Sequence, residues 1–284
     1  GLGDVYKRQP AGVWYRFAWP LYGVSIALLL SVLVIGEEVN GARRWINLAG
    51  IQFQPSEIAK FTMILLFARL TRLYGQDAKT FRHGVLGFGL ALLGILVPLA
   101  LEKHLSAIML MGMVAVVMMF VAGTRTRWLL AGAGAAAVFV VVYISFMGYA
   151  GDRVTAWLHP ELDPGDTGYQ ILQSLYAIGS GGLFGLGYGK SRQKYLYLPF
   201  QYNDYIFAVI CEELGLVGAM AIVALFAVTI LRGYWIALNA RDRFSTVLAA
   251  GLVTLIAVQT ILNLCVVTNL LPLSLIHISE PTRH

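Results

Sequence analysis

Long runs of apolar residues dominate the chain, and charged residues fall mainly between them. Most of the runs have no polar face, which a helix packed in a soluble bundle needs. A run of about 18 residues is enough α-helix to cross a hydrocarbon core roughly 30 Å thick. The pattern predicts an all-α polytopic membrane protein with seven membrane segments: 17–36, 56–74, 84–101, 105–123, 128–149, 205–231 and 244–270.

The connection 150–204 is the longest between the predicted segments, and many of its residues are polar. It carries turn residues at 163–166 and a glycine cluster at 179–189, and the stretch Tyr169–Ile178 has the pattern of an amphipathic helix. A long structured connection between membrane segments is usually functional. We therefore expect functional residues in it.

Basic residues mark one side of the membrane. Short connections on the other side hold charges that nearly cancel, at 37–44 and 102–103. The positive-inside rule makes the basic side cytoplasmic and places the loop 150–204 outside a bacterial inner membrane. The basic set is Arg16, Arg69, Arg72, Lys79, Arg82, Arg125, Arg127, Arg232, Arg241 and Arg243.

Composition excludes several other classes of protein. Of the 284 residues, 58% are hydrophobic and 13% are charged, whereas soluble proteins carry about 25% charged residues. The net charge of +6 indicates contact with anionic lipid rather than nucleic acid, because no basic stretch is interleaved with aromatic residues. Cys211 and Cys265 lie in apolar runs without the paired spacing of a disulfide framework or a zinc site.

The two ends of the chain are related to each other. GLGDVYKRQ (1–9) and LSLIHISEP within 273–284 can be encoded by DNA strings that are reverse complements. Such a string resembles a transposase-based sequencing adapter read on both strands. We interpret 1–9 and 273–284 as adapter-derived and non-native, and 10–272 as a partial transmembrane domain truncated at both ends.

The stretch Gly41–Lys60 holds the first candidate site. Arg43 and Arg44 could hold phosphates, and Trp45 could anchor at the membrane interface. The alternative is that these residues only anchor the structure.

The same stretch leads into the second membrane segment, which charges interrupt. Pro55 suits the first turn of a helix, and Glu57 then lies where the helix dipole favours an anion. Lys60 follows three residues later on the same face and can pair with Glu57. The pair could be purely structural or could serve a substrate.

Three further groups of residues could take part in catalysis or in substrate binding: the hairpin 102–104, a basic run at 190–194 and the acids at 204, 212 and 213. The hairpin 102–104 holds either a buried ion pair or a ligand contact. The basic run with Lys190, Arg192 and Lys194 suits a diphosphate or a sugar, although a solvated loop fits its composition equally well. Its glycines lack the Walker spacing, so no nucleotide site is expected.

Asp204 stands where the long loop enters a membrane helix, with Glu212 and Glu213 about two turns deeper. An acid at this boundary can act as a base, or Asp204 can simply cap the helix. Charged residues at membrane depth are costly and are therefore candidates for function.

Together, GARRWI with QPSEIAK, GYQILQSLYAIGSGGLFGLGYGKSRQKYLYLP and NDYIFAVICEELGLVGA resemble the SEDS family of FtsW, RodA and SpoVE, nearest the FtsW/SpoVE branch. The resemblance implies a SEDS-type bundle of roughly ten helices, of which this chain has about seven. Two residues depart from the family pattern: Phe200 replaces the usual acid, and Lys103 is unusual in its hairpin.

The resemblance also implies a peptidoglycan glycosyltransferase that polymerises lipid II during division or shape maintenance, although a truncated chain would be inactive. It implies a class B penicillin-binding protein as partner, with other divisome or elongasome membrane proteins. By motif match Asp204 is catalytic, and Trp45, Glu57 and Lys60 fall on other functional positions. No cofactor or metal site is evident, although a divalent cation could share the stabilisation of a diphosphate. The alternatives are a lipid II flippase and a non-catalytic scaffold.

Overall fold

The computed structural model describes residues 11–39, 42–48, 51–102, 104–146, 167–191 and 205–271. Most of these residues are helical. The helices are α1 (Ala11–Ile35), α2 (Pro55–Tyr74), α3 (Phe88–Leu101), α4 (Leu105–Ala122), α5 (Thr126–Phe146), α6 (Thr167–Gly181), α7 (Ile206–Leu238) and α8 (Arg243–Val267). A 3₁₀ turn (Gly75–Lys79) and a π-helical turn (Arg82–Gly87) join α2 to α3.

Five helical stretches among the described residues are long and apolar enough to cross a membrane: Gly12–Ile35, Arg82–Leu101, Leu105–Ala122, Ile206–Leu238 and Arg243–Val267. The predicted segments 56–74 and 128–149 correspond to α2 and α5. Helix α2 is not one of the five: it carries Glu57 and Lys60 in its N-terminal half and Arg69 and Arg72 in its C-terminal half. The prediction of a polytopic α-helical membrane protein is confirmed.

A small antiparallel sheet between α1 and α2 was not predicted. It consists of β1 (Glu37–Val39), β2 (Ala42–Leu48) and β3 (Ile51–Phe53), in the order β1-β2-β3. The backbone of Glu38 pairs with Arg43, and Ile46 pairs with Phe53. Strand pairing satisfies backbone polar groups in a connection between two helices, and here it gives β2 and its arginines a fixed backbone.

The chain divides into two compact units. The first comprises Gly1–Ala136 and Arg232–Ile256. In it, polar contacts join the N-terminal helices: the Thr62 hydroxyl donates to Ser25 Oγ at 2.9 Å, and Arg69 Nη1 donates to the carbonyl of Tyr15 at 2.7 Å. Phe67 packs edge-on against Phe88 with ring centroids 5.1 Å apart. These contacts fix α2 against α1 and α3.

The second unit comprises Ala137–Leu231 and Ala257–His284. Its described core contains Ala177 of α6, Tyr205 and Ala208 at the start of α7, and Val266 and Val267 at the end of α8. Helix α6 contains the stretch 169–178 that was predicted to be an amphipathic helix, which confirms that prediction.

The buried side of α6 follows the helical period. Its members are Ile171, Ser174, Ala177 and Gly181. The Ser174 hydroxyl donates to the carbonyl of Val267 at 2.9 Å, which fastens α6 to the end of α8.

Candidate functional site

Glu57 and Lys60 form an ion pair at the start of α2. Pro55 occupies the first turn of the helix, as predicted, and Lys60 Nζ lies 2.6 Å from Glu57 Oε2. The Lys60 side chain is 6% exposed and that of Glu57 is 54% exposed. A buried ammonium needs a partner to offset its lost hydration. The ammonium of Lys60 is therefore buried and paired with a carboxylate, while the Glu57 side chain that carries this carboxylate is more than half exposed.

Arg44 and Glu102 form a second charged group in the same unit. Both side chains are buried: Arg44, on β2, is 8% exposed, and Glu102, between α3 and α4, is 2% exposed. Burial raises the pKa of Glu102 to about 8, while the positive charge of Arg44 acts to lower it. Glu102 Oε1 has no hydrogen-bond partner in the described part of the chain. Burial therefore favours the protonated form of Glu102 at neutral pH.

Helix α7 is broken at Gly215, which has φ 68° and ψ −170°. The break interrupts the helical hydrogen-bond ladder, so backbone groups at this depth need other partners. Residues 181–191, called here the glycine-rich segment, supply them. Leu216 N–H donates to the carbonyl of Gly182 at 2.9 Å, and Val217 N–H to that of Leu183 at 3.2 Å.

The segment also donates hydrogen bonds to α7. Leu186 N–H bonds to the carbonyl of Glu212 at 2.9 Å, and Gly187 N–H to that of Glu213 at 3.0 Å. The backbones come too close for a side chain, since a Cβ on Gly185 would lie 2.1 Å from the Glu213 carbonyl oxygen. Glycine is therefore required where the segment meets the break.

The carboxylates of α7 lie at this junction. Glu212 is 1% exposed, Glu213 is 7% exposed and Ser191 is 2% exposed. The Ser191 hydroxyl donates to Glu212 Oε2 at 2.5 Å. Oε1 of Glu213 has no hydrogen-bond partner among residues the structure describes.

Several predicted site residues cannot be placed. Asp204, Arg192 and Lys194 lie outside the described residues, as does Lys103 of the hairpin. Only the backbone of Arg43 is described.

The remaining predicted residues fall into two groups. Trp45, Arg44, Glu57 and Lys60 belong to the first unit, where Trp45 is half-buried, and Lys190 is exposed in the second. Where the structure describes the chain, no three His, Cys, Asp or Glu side chains gather as a metal site would require.

The sequence did not predict two interactions. The first is the electrostatic effect of Arg44 on the pKa of Glu102. These residues are far apart in the chain, and no local pattern predicts the effect. The Ser191–Glu212 bond joins a basic run to an apolar one, and its only sequence signal is a pair of acids in a membrane segment.

Apolar spanning helices, buried charged residues and a broken helix held by a glycine-rich segment define a polytopic membrane protein with charged groups within its helices. The family model described as "Cell cycle protein", FtsW/RodA/SpoVE, matches residues 5–279. The chain belongs to this family, as its motifs predicted.

Relatives support the assignment along most of their length. "Probable peptidoglycan glycosyltransferase FtsW" of Geobacter sulfurreducens is 40% identical over 275 residues, covering 96% of this chain and 74% of the relative. "Stage V sporulation protein E" of Bacillus subtilis is 38% identical, covering 92% and 73%. "Peptidoglycan glycosyltransferase MrdB" of Escherichia coli is 36% identical, covering 94% and 73%.

Solved structures share the fold. A chain from a peptidoglycan synthase complex that coordinates polymerization and crosslinking has a TM-score of 0.78 at 29% identity, covering 95% of this chain and 76% of that one. The rod shape determining protein RodA of Thermus thermophilus has a TM-score of 0.61 at 28% identity, covering 89% and 66%.

Proposed function

We propose that the protein is a peptidoglycan glycosyltransferase that polymerises lipid II into glycan strands. The observation that carries this proposal is the 40% identity, over 96% of the chain, to a relative named for that activity. The buried cations of the first unit support it, because the substrate carries a diphosphate.

The reaction joins the 4-hydroxyl of one lipid-linked disaccharide to the anomeric carbon of another. The bond from that carbon to undecaprenyl diphosphate breaks, and the hydroxyl loses its proton. Asp204 is assigned as the base that takes this proton, a role typically worth about 10²–10⁴-fold in rate. A carboxylate where a loop enters a membrane helix has access both to water and to a lipid-linked substrate.

The leaving diphosphate needs positive charge that is already in place. Arg43, Arg44, Lys60 and Arg192 are assigned to this role, with Lys190 and Lys194 in the same basic run as the last of them. Preorganised charge in a site that excludes water stabilises a developing anion without further reorganisation. Lys60 fits because Glu57 already holds its ammonium in one position. A divalent cation could share this role.

The proposed setting is the bacterial cytoplasmic membrane, with the loop 150–204 on the outer side, where the headgroup of lipid II is used. A class B penicillin-binding protein is the proposed partner, since one similar structure comes from a complex that coordinates polymerization with crosslinking.

The test is polymerisation of purified lipid II by the enzyme expressed from its uninterrupted gene, beside an Asp204→Asn variant. The wild type should produce glycan chains, and the variant should lose about two orders of magnitude or more in rate. Equal yields from two equally well-folded proteins would remove Asp204 from the mechanism.

A further inference from the structure

The glycine-rich segment takes the place of part of helix α7. In an unbroken helix the N–H groups of Leu216 and Val217 would donate to the carbonyls of Glu212 and Glu213. At the break, all four groups bond to the glycine-rich segment instead. The glycine-rich segment is therefore held in one register against α7. Leu186 and Gly187 donate hydrogen bonds to the helix, and Gly182 and Leu183 accept hydrogen bonds from it.

A buried hydrogen bond between two side chains holds the C-terminal end of this segment against α7. Ser191 and Glu212 are each no more than 2% exposed, and the serine hydroxyl donates to the carboxylate at 2.5 Å. A buried hydrogen bond is costly to break, because water does not replace the lost partner. Ser191 directly follows Lys190, so the bond holds the backbone next to this cation.

We propose that Glu212 is a positioning residue: through Ser191 it holds the run Gly187–Lys190, with the cation of Lys190, in place to receive a lipid-linked diphosphate. The inference rests on the proposed function and extends it. Gly187 and Gly189 both have positive φ, and glycine leaves the backbone free to adopt many conformations. Without the anchor, ordering this run on binding would cost conformational entropy.

Ser191→Ala and Glu212→Gln test the inference in steady-state polymerisation of lipid II. Ser191→Ala should raise KM by about tenfold or more, the effect of removing a buried hydrogen bond. Glu212→Gln keeps an amide oxygen that can still accept from Ser191, so it should raise KM by less. The value of kcat should change less than KM, because the other cations assigned to the leaving diphosphate, Arg43, Arg44 and Lys60, are unaltered. Ser191→Thr keeps the hydroxyl and should restore most of the affinity.

Ser174→Ala is the matched control. Ser174 is also buried in the second unit and also donates one hydrogen bond, to the carbonyl of Val267. It should lower stability without changing KM. If Ser191→Ala and Ser174→Ala have the same KM, the inference is overturned.

Amide hydrogen exchange of peptides covering 182–191 gives a readout that needs no catalysis. Ser191→Ala should speed exchange there, and Ser174→Ala should not. Unchanged exchange would contradict the anchor even if lipid II proved not to be the substrate. An inactive wild type with the predicted exchange would refute the proposed function alone.

Discussion

The close approach at Gly185 predicts a large loss of stability for a very small substitution. In Gly185→Ala, the added Cβ would lie 2.1 Å from the Glu213 carbonyl oxygen and 2.7 Å from the nitrogen of Gly215, so the segment must move off the break. Gly185 also has φ +77°, which is strained for alanine. The strain of about 1–2 kcal/mol and the loss of at least two of the four backbone hydrogen bonds at the break total roughly 3–6 kcal/mol or more.

Gly189→Ala separates the two causes. Gly189 has nearly the same φ, +75°, but no atom within 4 Å of an added Cβ. It should therefore show only the backbone strain of about 1–2 kcal/mol. The measurement is the free energy of unfolding, from SDS titration in mixed micelles, for the wild type and both variants.

The decisive quantity is the difference in the free energy of unfolding between Gly185→Ala and Gly189→Ala. Docking of the segment onto the break requires Gly185→Ala to be less stable than Gly189→Ala by about 2–4 kcal/mol. If the two variants unfold at the same SDS fraction, the segment does not fill the break in α7.

Two further changes address the charged groups of the first unit. Glu57→Gln leaves the buried Lys60 ammonium without its carboxylate and should lower the free energy of unfolding by about 1–3 kcal/mol; an unchanged SDS unfolding curve would contradict the pairing. The pKa of Glu102 is about 8 in the folded protein and ordinarily 4.5, so between these values the folded state holds a proton that the unfolded state releases. Stability should fall by about 1.4 kcal/mol per pH unit as pH rises through this window. Glu102→Gln should flatten that slope in thermal unfolding measured at several pH values, and an equal slope in both proteins would refute the assignment.

The sequence correctly predicted features that depend on residues close together in the chain. Pro55, Glu57 and Lys60 lie within two turns of one helix, so their order in the chain already sets their geometry. The amphipathic helix α6 was predicted for the same reason. Strands β1 and β3 were missed because three residues are too few for alternation to show. Strand β2 has seven residues, but its two adjacent arginines interrupt the alternation.

The break in α7 was missed for a physical reason. The run 205–231 is apolar throughout apart from its two acids, and it predicts a continuous helix. The break depends on backbone partners more than twenty residues earlier in the chain. Gly215, which follows the two acids and one further residue, was a weak local signal, because glycines such as Gly215 and Gly218 are common in membrane helices.

The most direct test of the proposed activity separates a polymerase from a transporter of the same lipid. The enzyme from the uninterrupted gene is reconstituted into liposomes carrying fluorescent lipid II, and the length of the labelled product is measured by gel electrophoresis. A ladder of glycan chains is the predicted result. Lipid II that crosses the bilayer yet stays monomeric would contradict it.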